Sequence, residues 1–197
     1  MNKSRYKLIG MTPHYCEGMP TPKLLIQLVK KDLVFDIKNT AYIYSLALRG
    51  EGVDSELKAN IADICEKSNI DNTARILDEV ISDVRSMLLK FTRNNVPPQA
   101  NRYVSNEWED APANPENDDD YFFALKVPIS FTQDVARSLL TYIHQYVVNK
   151  VIANYLLLVY PDGSAVFTAM WQGEEEKIKN TINNFITGRV RRNLHPF

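Results

Sequence analysis

Apolar side chains recur along this chain mostly at three- and four-residue steps, the signature of helices that bury one face. Leu33, Val34, Ile37, Ala41, Tyr44 and Leu48 form the first such row, with Asp32 placed to cap its start and Gly50 to end it. A shorter helix is predicted from Asp54 to about Lys67, with Leu57, Ile61 and Ile64 inward. After the polar cluster Asn69–Thr73 comes the most regular stripe in the sequence: Ile76, Leu77, Val80, Ile81, Val84, Met87, Leu88 and Phe91. Asp78, Asp83, Arg85 and Lys90 fall on its other faces. The segment 121–130 (YFFALKVPIS) reads differently. Its aromatic and branched residues suit a strand, and Pro128 restricts it to the edge or end of a sheet.

The longest helix is expected to open at Ser130 or Thr132 and run to Tyr160. Its last turns, Tyr155–Tyr160, are apolar all round, which predicts burial on every side and hints at a contact with a neighbouring subunit. Pro161-Asp162-Gly163-Ser164 makes a tight turn, so a final helix capped by Ser164 should fold back as an antiparallel hairpin. The patch Gly173–Lys177 interrupts its stripe and is expected to bend it, and Gly188 is placed to end it. Leu139, Ile143, Val147, Val151, Ile182 and Phe185 are the expected core of this hairpin. The fold class is therefore mainly α: a helical bundle with a long antiparallel helical hairpin and a small β-strand or hairpin element.

Punctuation divides the chain into three parts. Residues 1–31 form an extended arm with Pro13, Pro20, Pro22, Gly10 and Gly18; within it, KLLIQLVKK (23–31) fits strand and helix equally. Residues 32–188 form a single helical domain with a loop insert at 94–120, which holds four prolines and, from Glu107 to Asp120, seven acids without one basic residue. Residues 189–197 (RVRRNLHPF) are a basic tail. The 197 residues carry 23 basic and 24 acidic side chains, so a general electrostatic nucleic-acid binder is disfavoured. Two cysteines make no secreted disulfide framework, and no signal region or membrane span is read. Those features predict synthesis in a reducing intracellular compartment.

Chemistry is sparse. His14 and Cys16 lie close together but on a segment punctuated by Pro and Gly, and Cys65 borders an apolar helix face where a thiol acts as a small hydrophobe. His144 has no partner at helical spacing and is expected on a helix surface or interface. The run Asp118–Asp120 lacks the alternation and glycine of a calcium loop and reads as solvated. No phosphate-binding glycine motif and no nucleophile elbow occurs, so neither catalysis nor a cofactor or metal is expected. The tail offers partner-binding candidates instead. Arg189, Arg191 and Arg192 would steer, and Leu194 and Phe197 would anchor, although a frayed end and a phosphate contact are also compatible with its composition.

Four stretches, DIKNTAYI (36–43), NIDNTARILDEV (69–80), LLTYIHQYVVNKVIANYL (139–156) and RVRRNLHPF (189–197), follow one another as in small virion-assembly proteins of tailed phages and prophages of Bacteroidetes. In pattern and order the chain resembles their head–tail connector (adaptor) proteins. That resemblance implies a structural virion protein made in the host bacterial cytoplasm. It would form a ring, commonly twelvefold, docked on the portal and continuing the DNA channel, with other head–tail or tail proteins as further partners and no membrane. The C-terminal segment would reach the portal. A tail-completion protein of the same virion, or a cytoplasmic protein- or nucleic-acid-binding adaptor or regulator, are the alternatives.

Overall fold

The computed structural model describes residues 6–9, 23–48, 54–66, 69–89, 120–126 and 131–186. The chain is mainly helical, with a long antiparallel helical hairpin. In chain order the elements are β1 (Tyr6–Ile9), β2 (Lys23–Leu28), α1 (Lys30–Ala47), α2 (Ser55–Ala62), α3 (Ile70–Leu88), β3 (Tyr121–Lys126), α4 (Gln133–Val159) and α5 (Pro161–Thr181). A π-helical turn, Ile182–Ile186, extends α5.

The strands form one antiparallel sheet in the order β1-β2-β3. Leu28 stands opposite Tyr6 on one side and Tyr121 on the other, and Ile26 lies between Leu8 and Phe123. KLLIQL thus resolves as a strand. Leu24, Ile26 and Leu28 share one face at the two-residue period and are all buried, as are Phe123 and Leu125 opposite them. Three alternating apolar side chains carry 23–28 into the same core as the helices, and α1 begins at Lys30 instead of Asp32.

Helix α4 is the axis of the molecule. It packs against α5 along its length and also touches α3, α1, α2 and β2. Its buried positions include Ala136, Leu139, Leu140, Ile143, Tyr146, Val147, Val151, Ile152, Tyr155 and Leu156, more than one face can hold. Thr132 caps its start, the Oγ1 accepting from the Val135 amide at 3.4 Å. Leu139, Ile143, Val147, Val151 and Ile182 are core residues as expected, while the Phe185 side chain lies outside the described set. The all-round burial predicted for 155–160 ends at Leu156. Leu157 and Leu158 are exposed while Val159 and Tyr160 stay partly buried against the core, so the last turn is covered on one side only.

Other local expectations change with the packing. Pro161 opens α5 directly, its fixed φ suiting the first helical turn, and the Ser164 hydroxyl donates to the Pro161 carbonyl at 2.7 Å without acting as a cap. Gly163 is enclosed. A Cβ there would stand 2.3 Å from Cδ1 of Tyr160 and 2.6 Å from the Tyr44 hydroxyl. Helix α5 runs unbroken through Gly173–Lys177, bound by Lys177–Glu174 and Lys179–Glu175 ion pairs. Helix α2 ends at Ala62, sooner than the sequence pattern suggested. Helix α3 keeps its predicted stripe, burying Leu77, Val80, Ile81, Val84 and Leu88.

Candidate functional site

Most of the sequence-selected candidates, Arg189, Arg191, Arg192, Leu194 and Phe197 together with His14 and Cys16, lie outside the described residues. So does the acidic stretch up to Asp119. Asp120 is described, and it corrects the solvated reading. It is buried, with Oδ2 accepting from Gln27 Nε2 at 2.7 Å and Oδ1 accepting from the Lys30 amide at 3.1 Å. The carboxylate therefore serves a free amide in the first turn of α1 from a distant part of the chain. Val29, at the N-cap position itself, makes no side-chain bond.

His144 is corrected too. Only 6% exposed, it lies between α4 and α1 with Nε2 2.9 Å from Oδ2 of Asp36. These residues are 108 positions apart, which spacing rules cannot see. A signal did exist. Asp36 falls on the inward side of α1 beside Leu33 and Ile37, where a charge requires a partner.

A second polar junction joins α3, α4 and α5. The Lys150 ammonium donates to Asp83 Oδ2 at 2.8 Å and to the Tyr146 hydroxyl at 2.7 Å, and lies 4.8 Å from the Trp171 ring centre. Tyr146 and Trp171 meet edge to face at 6.0 Å. Burial opposes the charge on Lys150, but the bonds to Asp83 and Tyr146 outweigh it and hold its pKa above the ordinary value. Burial also raises the Tyr146 pKa. A lysine kept cationic in this way is a fastener and a poor nucleophile. Burial pushes the Cys65 thiol up to about 11, which keeps it protonated and unreactive. Among the described residues, no group of three or more His, Cys, Asp or Glu side chains could hold a metal ion, and no helix is long and apolar enough to cross a membrane.

The exposed surface carries a pattern of its own. On α1, Phe35 is 60% and Tyr42 50% exposed, seven residues apart and opposite the buried Leu33, Ile37 and Ala41. On α5, Val166 is 52% and Met170 51% exposed, four residues apart and beside the buried Phe167. Leu157 and Leu158 at the end of α4 add a third exposed pair. Large apolar groups set in rows on helices are the material of protein contacts. The row on α1 went unread because the inward stripe already accounted for that helix. Comparison of the chain with protein-family models, curated proteins and solved structures finds no match.

Proposed function

We propose that this chain is a structural subunit, not a catalyst, that assembles with copies of itself into a ring of the head–tail connector type. The observation that carries this reading is the pair of apolar rows on different helices, Phe35 and Tyr42 on α1 and Val166 and Met170 on α5. A ring is a heterologous assembly, and each member needs two unlike contact faces. Polar junctions that fasten α1 to α4 and α3 to α4 favour a body that docks without rearranging. The resemblance supplies the remainder of the proposal: the ring docks on a portal, continues its DNA channel, and belongs to the virion. Arg189, Arg191, Arg192, Leu194 and Phe197 would reach the portal.

Sedimentation velocity and negative-stain microscopy of the purified chain test the assembly, with closed rings as the expected result. A chain that stays monomeric at high concentration and on addition of portal protein refutes it. Deletion of residues 189–197 should leave the subunit folded and abolish its incorporation into particles. Normal occupancy of the truncated chain in virions would remove the tail from the proposal. Loss of DNA affinity alone, with a steep salt dependence, would assign the tail to nucleic acid.

A further inference from the structure

We infer that α5 is built in two parts joined at Gly173 and Glu174, and that its outer part, residues 174–186, is an arm that lifts from α4 while residues 161–172 stay in place. Two independent features fall at this one point. The first is Glu174. It stands on the inward stripe of α5 and its π-helical extension, among Phe167, Trp171, Ile178 and Ile182, at steps of three and four residues. Its side chain is only 12% exposed. Oε1 accepts from Lys177 at 2.7 Å, but Oε2 is buried with no hydrogen-bond partner. A buried acceptor left unpaired is costly, and lifting the arm returns it to water. The closed hairpin therefore carries a penalty at Glu174 that the open one does not. The second feature is Gly173. Glycine in a helix interior weakens the helix. Crowding accounts for Gly163, where a Cβ would strike Tyr160, but beyond the helix backbone nothing lies within 4 Å of where a Cβ of residue 173 would stand. Packing does not call for glycine there; a backbone that bends does.

The two parts are held differently. The inner one is tied to other elements: the Tyr44 hydroxyl donates to the Gly163 carbonyl at 3.3 Å, Phe167 meets Tyr44 edge to face at 5.1 Å, and Trp171 packs on Tyr146 and Lys150. Among the described residues, the side-chain hydrogen bonds of 174–182 stay within α5, from Lys177 to Glu174 and from Lys179 to Glu175. They stiffen the arm as a helix without fastening it to the body. Ile178 and Ile182, with the Lys177 ammonium over the Tyr142 ring, hold it closed. The His144–Asp36 and Lys150–Asp83 junctions lie outside the arm, so the body stays fixed while the arm moves. Residues 189–197 follow the arm directly in sequence, and the hinge sets how far they reach. It is a property of the single subunit and stands whether or not copies assemble.

Residue-resolved hydrogen exchange of the full chain by NMR tests the hinge. A lifted helix of this length is marginal in water, so the arm's amides exchange as one unit when it opens. Ile178–Ile182 should exchange at a common rate, about tenfold or more faster than Phe167–Gln172. Glu174→Met, which completes the apolar stripe and removes the unpaired oxygen, should slow the arm about tenfold, and Gly173→Ala about threefold, with Phe167–Gln172 unchanged. Arm amides as protected as Phe167–Gln172, or rates that rise smoothly from Gln172 to Ile186 as in ordinary end fraying, overturn the hinge. So does a Glu174→Met arm that exchanges at the wild-type rate.

Discussion

Replacing His144 by alanine leaves the Asp36 carboxylate, whose side chain is only 11% exposed, without the ring nitrogen that stood 2.9 Å away. An orphaned buried hydrogen-bonding group costs about 1–3 kcal/mol, and breaking a buried ion pair costs about 3–5 kcal/mol. Each residue has at least one further interaction, so the expected loss is set where the two ranges meet, about 3 kcal/mol. Asp36→Ala should cost a similar amount. For a chain of this size, 3 kcal/mol lowers the melting temperature by about 6–12 °C. The assay is urea unfolding followed by circular dichroism for wild type, both single variants and the double variant, with an unchanged m value as the condition for comparing midpoints. The double variant should lose less than the sum of the singles, by about 1.5–3 kcal/mol. A coupling within roughly 0.5 kcal/mol of zero would show that the two side chains do not support each other, and the account of how α1 is held to α4 would fail.

Three further outcomes follow from local geometry. Gly173→Ala should stabilise the dissociated subunit by about 0.5–1 kcal/mol, whereas Gly163→Ala should destabilise it by pushing on Tyr160 and Tyr44; equal unfolding midpoints for the two variants would contradict this. Asp120→Ala removes the acceptor for Gln27 and for the Lys30 amide and should cost about 1–2 kcal/mol by thermal unfolding, while an unchanged midpoint would refute its capping role. In a Cys16→Ser chain, Cys65 should alkylate slowly at neutral pH and faster as pH approaches about 11. Its pKa is raised on folding from the ordinary 9.0, so its contribution to stability is present below that value and is lost as pH climbs towards 11; neutral-pH alkylation as fast as in urea would contradict its burial.

The helical part of this architecture is legible in the sequence because its signals are local. The α3 stripe from Leu77 to Leu88 and the α4 positions Leu139, Ile143, Val147 and Val151 are spaced by the helix itself. The features that escaped depend on distant residues. The pairing of β2 with β3 joins Leu28 to Tyr121, and Asp120 serves α1 from 90 positions away. His144 seemed unpartnered because its carboxylate stands on the first helix, and KLLIQL was ambiguous until a neighbouring strand fixed its period. Periodicity also marks apolar residues as inward by default. It gave no account of Phe35 and Tyr42, which repeat at helical spacing on the outer side of α1.

The central position of α4 also governs the order in which this chain can fold. The α4–α5 hairpin closes across one short turn, a cheap and rapid step. The sheet, by contrast, must bring residues 23–28 to residues 121–126, a loop closure across most of the intervening chain. During synthesis, the apolar faces of β2, α1 and α3 emerge well before the helix that covers them. Leu28, Ile37 and Val84 therefore stay wet, and within reach of chaperones or of other nascent chains, until α4 leaves the ribosome. The helix that completes the core is thus also the timer of the whole fold, and substitutions in it should lower the yield of soluble protein more than their equilibrium cost implies.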